Sequence, residues 1–157
     1  MKLYFWSVGK PHESFIKEGV DLFTRRISYY FPVEWKIFGS PKSKNNLPEI
    51  DIKKMEAQMI LNALETNDIL VALDEKGKLL YSEDVADFIQ QCANQSSRNI
   101  IFLIGGAYGL DPQVLERANL KWSLSNLVFP HQLVRLILSE QIYRACTILR
   151  NEKYHHS

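Results

Sequence analysis

Ile100-Ile101-Phe102-Leu103-Ile104-Gly105-Gly106-Ala107-Tyr108-Gly109-Leu110 is the stretch that decides the fold class of this 157-residue chain. Its unbroken apolar run is strand-length, and continuous runs of this kind belong to strands buried on both faces of a parallel sheet. The strand runs straight into a turn with three glycines. That turn lies at the carboxyl end, where open α/β sheets bind ligands and where glycine lets the backbone come close to one. The spacing is Gly-Gly-x-x-Gly, which departs from the dinucleotide fingerprint, and the Lys and Ser/Thr of a phosphate-binding loop are missing. Taken alone, the turn favours a ligand site only weakly, because a tight turn needing left-handed backbone would look the same.

Outward from this stretch the chain alternates strand and helix. Leu3 to Val8 and Ile69 to Leu73 read as buried strands, and Val33 to Phe38 as a half-buried one. Lys121 to Phe129 reads as a weaker strand. Helical spacing covers Glu13 to Tyr30, with Phe15, Gly19, Leu22, Phe23, Ile27 and Tyr30 near one face. It also covers Glu49 to Leu64, with Met55, Met59 or Ile60, and Ala63 on the apolar side. A third helix opens at Ser82-Glu83-Asp84 and runs to about Asn94. The last helix spans His131 to Arg150. Six prolines fall between these segments, and Ser40 to Pro48 is a basic loop. The pattern predicts one α/β domain over residues 1–157 with a mainly parallel sheet.

Composition narrows the class further. Nineteen Lys and Arg against eighteen Asp and Glu leave a net charge of +1, so no wide positive field advertises a polyanionic partner. Local cations are nevertheless present: Lys10, Lys17, Arg25 and Arg26 early, Lys42 and Lys44 in the loop, and Arg135, Arg144, Arg150 and Lys153 late. Cys92 and Cys146 are too few for a disulfide framework or a metal knuckle. With no secretory signal and no bilayer-length apolar run, the expected compartment is the cytoplasm, with no membrane partner and no metal.

Polar chemistry gathers late in the chain. Trp122-Ser123-Leu124-Ser125 leads through Phe129-Pro130 to His131 at a helix start, where the helix dipole favours a neutral imidazole able to accept a proton. Pro130 acting as simple punctuation is the bland alternative. Glu140 and Arg144 form an i,i+4 pair in the favourable order, which a surface ion pair explains adequately. The final helix is apolar around more than one stripe, which points to burial against a second copy of the chain. Tyr154-His155-His156 reads either as a loose end or as rings able to stack on a base.

These segments resemble one family. Gly105-Gly106-Ala107-Tyr108-Gly109, Trp122-Ser123-Leu124-Ser125, Phe129-Pro130-His131-Gln132-Leu133-Val134-Arg135 and Tyr154-His155 occur in the order found in the bacterial large-subunit rRNA pseudouridine N3-methyltransferases of the SPOUT class. Met1-Lys2-Leu3, Val8-Gly9-Lys10 and Leu73-Asp74-Glu75-Lys76-Gly77-Lys78 are also similar to that family, so the resemblance spans essentially the whole chain. It implies an α/β fold with helices on both faces of the sheet and a C-terminal trefoil knot. It implies S-adenosylmethionine as the methyl donor, held by Leu73, Gly105, and Leu124, Ser125, Asn126, Leu127, Val128 and Phe129. A homodimer acting on 23S rRNA is implied as well, and the modest net charge points to assembled ribosomes as the substrate. Arg144, Glu140 and His131 are candidates to deprotonate or orient the base, and Arg135, Tyr154 and His155 to bind substrate.

Two other readings fare worse. A nicotinamide oxidoreductase needs a glycine-rich turn after the first strand, where this chain has Val8-Gly9-Lys10-Pro11. A non-catalytic ribosome-binding module predicts a more basic surface and no need for the later glycine turn.

Overall fold

The computed structural model describes residues 1–40, 46–97 and 99–156. Among them the elements run β1 (Lys2–Val8), α1 (Ser14–Ile27), β2 (Val33–Phe38), α2 (Glu49–Ala63), β3 (Ile69–Leu79), α3 (Ser82–Asn94), β4 (Asn99–Ile104), α4 (Pro112–Arg117), β5 (Leu120–Ser123) and α5 (His131–Leu149). The strands form one sheet in the order β2-β1-β4-β3-β5, and every pairing is parallel. Lys42 and Lys44, two of the expected loop cations, lie outside the described residues.

The unbroken apolar run of β4 follows from its position. It is flanked by β1 and β3, with Phe102 level with Phe5 on one side and Val71 on the other. Ile100, Phe102 and Ile104 pack into a core shared with α1, α3 and α5. Ile101 and Leu103 point the other way, into a core shared with α2 and α4. Both faces are therefore covered, and a polar residue anywhere in the run would be desolvated without a partner. Each side chain so buried contributes about 1.5–3 kcal/mol of hydrophobic stabilisation.

Several boundaries differ from the expectations. Helix α4 lies in a stretch with no predicted element, although Asp111-Pro112 carries its start signal. Asp111 caps the helix by accepting from the Gln113 N–H at 2.9 Å, and Pro112 occupies the first turn. The predicted strand from Lys121 ends at Ser123, not Phe129. Beyond it Ser123 Oγ donates to the Ser125 carbonyl at 3.0 Å, and Ser125 Oγ accepts from Leu127 N–H at 2.9 Å. These local bonds turn the chain out of the sheet. Strand β3 instead runs past Leu73 to Leu79. After a register shift it pairs Lys78 with Trp122 and Leu79 with Ser123. Gly77 permits this second pairing, since a Cβ there would lie 2.7 Å from the β5 backbone at Lys121 and Trp122.

The helix faces are also displaced. On α1 the buried residues are Ile16, Val20 and Ile27, whereas Phe15 is exposed. On α2 they are Ile52, Glu56, Ala57 and Ile60, and Met55 is largely exposed. Helix α5 packs against α1 on one side and α3 on the other. Much of its surplus apolar surface is thereby taken up within the chain, with Leu133, Leu136 and Ile137 left half-buried. No helix among the described residues is long and apolar enough to cross a membrane.

Candidate active site

All five strands point the same way, so their carboxyl ends form one edge. The glycine turn after Ile104 and the 124–129 segment after Ser123 lie just beyond strand ends on that edge, and Leu73, inside β3, is level with Ile104 at the end of β4. The turn is closed by a Gly109 N–H bond to the Gly106 carbonyl at 3.1 Å. Its left-handed residue is Gly109, with φ +80°, and not Gly105. The demand at Gly105 is one of space, because a Cβ there would sit 3.0 Å from the Leu110 side chain and 3.1 Å from the Gly109 backbone. At Gly106 a Cβ would meet both carboxylate oxygens of Glu56 at 2.8 Å.

Glu56 was not anticipated from the sequence. It is buried at the i,i+4 spacing of Ile52 and Ile60, so an acid inside that apolar stripe was the signal available. In the turn Tyr108 is nearly half exposed, and after β5 Leu127 and Val128 stand 70% and 74% exposed. The described residues thus offer a tight glycine turn at the end of β4 and uncovered apolar side chains after β5, at the same edge of the sheet. Two hollows among the described residues lie elsewhere. One of about 550 Å³ is lined by Glu49, Ile50, Lys53, Asp111 and Gln113, and another of about 420 Å³ by Thr66, Asp68, Gln95 and Arg117. Both are shallow surface features without the glycine turn, so backbone geometry carries more weight here than concavity.

The candidate side chains divide into two groups along α5. Arg144, Glu140, Tyr154 and His155 are brought together at its carboxyl-terminal half. Arg144 donates to Glu140 Oε1, and the Tyr154 hydroxyl donates to the same oxygen at 3.0 Å. The Arg144 guanidinium lies over the Tyr154 ring, 4.8 Å from its centroid, and Tyr143 packs against that ring at 4.7 Å. His155 sits 3.5 Å from Arg144 through Nδ1 and 2.9 Å from Glu83 through Nε2. Burial, reinforced by the Glu140 bond, raises the Tyr154 phenol pKa, while the bond to His155 holds the Glu83 carboxyl below its ordinary range. The tail is therefore a docked segment: Asn151 turns it back with φ +54° and Tyr30 donates to Glu152 at 2.6 Å.

His131 belongs to the other group. It is exposed at the first turn of α5, nine residues before Glu140, which is about 13 Å at the helical rise. Partial desolvation of its ring and the nearby Arg135 cation lower its pKa, while Glu75 opposes them, which favours the neutral imidazole. Arg135, expected on the substrate surface, is only 1% exposed and lies behind the end of β1 against Ser7 and His12. The other cations are partly engaged: Lys17 pairs with Asp21, and Arg26 covers the rings of Phe23 and Tyr143. Both cysteines are free and buried.

Comparison with known proteins agrees with this architecture. The family described as "Predicted SPOUT methyltransferase" matches residues 1–155. A Cytophaga hutchinsonii protein named Ribosomal RNA large subunit methyltransferase H is 43% identical over 156 residues, covering 99% of this chain and 100% of its own. Proteins of the same name from Parabacteroides distasonis and Clostridium botulinum are 38% and 41% identical, each with 99% of both chains covered. Among solved structures, a probable methyltransferase from Bordetella pertussis superposes with TM-score 0.55 at 12% identity, covering 92% of this chain and 96% of its own. A probable methylase family protein from Haemophilus influenzae gives 0.53 at 11%, covering 99% and 70%. At such low identity these two structures speak to the fold alone. The end-to-end family match and the full-length relatives together establish that this chain belongs to the SPOUT methyltransferase family.

Proposed function

We propose that this chain methylates N3 of a pseudouridine in large-subunit (23S) ribosomal RNA, taking the methyl group from S-adenosylmethionine, and that it works as a homodimer on assembled ribosomes in the cytoplasm. The observation that carries the reading is the end-to-end match, at 43% identity, to a relative named for large-subunit ribosomal RNA methylation. The docked Arg144–Glu140–Tyr154–His155 cluster supports it, because a loose tail would not hold two rings and an ion pair in one place.

In this reading Leu73, Gly105 and the segment Leu124 to Phe129 hold the donor, with the carboxyl-terminal part of the chain threaded as a trefoil knot. The donor supplies an electrophilic methyl group when bound. The chain's own residues then have two tasks. The first is alignment: the tight backbone at Gly105 and Gly106 and the apolar Leu127 and Val128 fix position and exclude water. The second is charge: N3 of the base must lose a proton. Neutral His131 is a candidate acceptor, while Arg144 would stabilise the resulting anion. Tyr154 and His155 provide stacking and hydrogen-bonding surface for the base, with Glu140 fixing Arg144 and Tyr154.

The two groups stand too far apart on one α5 to grip one base together. A homodimer that sets the α5 amino end of one protomer beside the tail of its partner removes that difficulty. The half-buried Leu133, Leu136 and Ile137 and the exposed Leu127 and Val128 are surface for such a contact. Sedimentation tests the assembly: a dimer at micromolar concentration is expected, and a clean monomer that still methylates would overturn it. Radiolabelled methyl transfer to ribosomes, with the product nucleoside identified by mass spectrometry, tests the reaction. Incorporation at a pseudouridine N3 is expected, and none, or incorporation at another atom, contradicts the proposal.

A further inference from the structure

Arg135 is among the largest fully buried side chains of the described residues and carries a permanent charge. Buried guanidinium groups are normally paired with carboxylates, yet no described acid lies within 4 Å of this one; Glu13 acts on it only at longer range. Its hydrogen-bond partners are neutral. Nε donates to Ser7 Oγ at 3.0 Å, at the end of β1, and Nη1 donates to His12 Nδ1 at 3.3 Å. Because arginine has no acceptor, His12 Nδ1 must be the lone-pair nitrogen, which puts the neutral ring's proton on Nε2. The His12 ring is braced edge-on against Trp35 at 4.8 Å. Gly9, with φ +130°, completes the enclosure, its Cβ direction lying 3.7 Å from Nη2. A hydrophobic side chain in this place would fold more cheaply, so stability does not explain a cation here.

Its neighbour along α5 offers an explanation. His131 lies one helical turn before Arg135, at the i,i+4 spacing that places two side chains on the same helix face. We propose that Ser7 and His12 are positioning residues that fix the Arg135 guanidinium beside His131, so that His131 remains a neutral proton acceptor. The inference rests on the proposed role of His131 in removing the N3 proton. The charged groups acting on His131 are Arg135 from its own helix and Glu75 from within β3. Those facing His12 are Arg135, with Lys17 and Asp21 of α1 acting in opposite senses. Protonation of His12 would remove the Nη1 acceptor and set two cations together. The device therefore holds only above the range in which His12 titrates.

The chain has four histidines, so their imidazole NMR signals can be followed one by one against pH. The variants are His12→Leu, which removes the acceptor, His12→Asn, whose amide oxygen can stand where Nδ1 stood, and Ser7→Ala, a small buried change that keeps the fold should His12→Leu fail. The proposal expects the His131 midpoint to move upward in His12→Leu and in Ser7→Ala and to stay at the wild-type position in His12→Asn. The acid limb of methyl transfer to ribosomes should move in the same direction. An unmoved His131 midpoint in Ser7→Ala, or His12→Asn behaving like His12→Leu, overturns it. The titration needs no substrate, so failure there is separable from failure of the methyl-transfer reading, which would appear as inactivity of the wild type on ribosomes.

Discussion

The glycine turn and the carboxyl-terminal tail are both candidate halves of one active site, yet they are built by opposite means. The turn is made of backbone. Gly105 and Gly106 are buried, their places set by what a Cβ would strike, and Leu127 and Val128 of the segment after β5 are left uncovered. The tail is made of side chains: Tyr154, His155, Arg144, Glu140 and Glu83 satisfy one another through hydrogen bonds and ring contacts. A backbone cradle with open apolar flanks suits a ligand that must be gripped. A network of satisfied polar groups suits a reaction that needs charge in a set place. The contrast teaches that donor binding and turnover should be separable by mutation.

The largest expected separation comes from deleting residues 154–157. Turnover on ribosomes should fall about 100-fold or more, the scale of losing positioned acid–base and charge groups. S-adenosylmethionine affinity, measured by calorimetry, should stay nearly unchanged. The opposite separation is expected from Gly105→Val. A branched side chain against Leu110 and the Gly109 backbone is an overpacking change of about 1–3 kcal/mol, and the displaced turn should weaken donor binding about tenfold or more. Unchanged affinity in a folded Gly105→Val protein would remove the turn from the donor site.

Glu140→Gln sharpens the comparison from inside the tail. As a partly covered i,i+4 pair, Glu140–Arg144 should contribute only roughly 1 kcal/mol or less to denaturant stability. If the pair serves the reaction, turnover should fall far more than that loss predicts; equal small losses would return it to an ordinary helix pair.

A smaller effect concerns pH. Burial and Arg135 depress the pKa of both His12 and His131. The unfolded chain therefore takes up protons near the ordinary histidine value while the folded chain resists. The sign is fixed: stability is full above that value and declines as pH falls through it toward the depressed folded values. Denaturant midpoints from pH 8 down to pH 5 should show this decline, reduced in His12→Asn. The smallest effect is chemical. Burial pushes the Cys146 thiol up to about 12, so it should resist alkylation at pH 8 in the folded protein and react once unfolded.

Much of this molecule is legible in its sequence, and the exceptions have physical causes. The unbroken run from Ile100 to Ile104 announces a strand covered on both faces, and the alternation of strands and helices announces the layers. Strand β3 beyond Leu73 is not legible, because Asp74 to Lys78 carries charges that look like a turn. Only Gly77, by admitting the backbone of β5, allows the second pairing. The surplus apolar surface of α5 points outward in a sequence reading, whereas α1 and α3 both reach it through contacts far apart in the chain. At the site, Arg135 and Glu56 look exposed by type and prove to be buried. Charge type predicts location only when nothing nearby accepts or balances it, and Ser7 and His12 lie more than a hundred residues from Arg135. From sequence the tail reads as a loose end or as rings able to stack on a base; its docking through bonds to Glu140 and Glu83 depends on residues 14 and 72 positions away.

The most direct test of the central claim compares one substrate in two states. Wild-type protein, labelled S-adenosylmethionine and a single salt condition would be used with intact ribosomes, free large subunits and protein-stripped large-subunit rRNA. Modest net charge and a compact stacking tail predict recognition of shape over bare polyanion, so assembled particles should be methylated much faster than stripped rRNA, with the label at pseudouridine N3. Equal rates on stripped rRNA and ribosomes, or label at any other atom, would contradict the account.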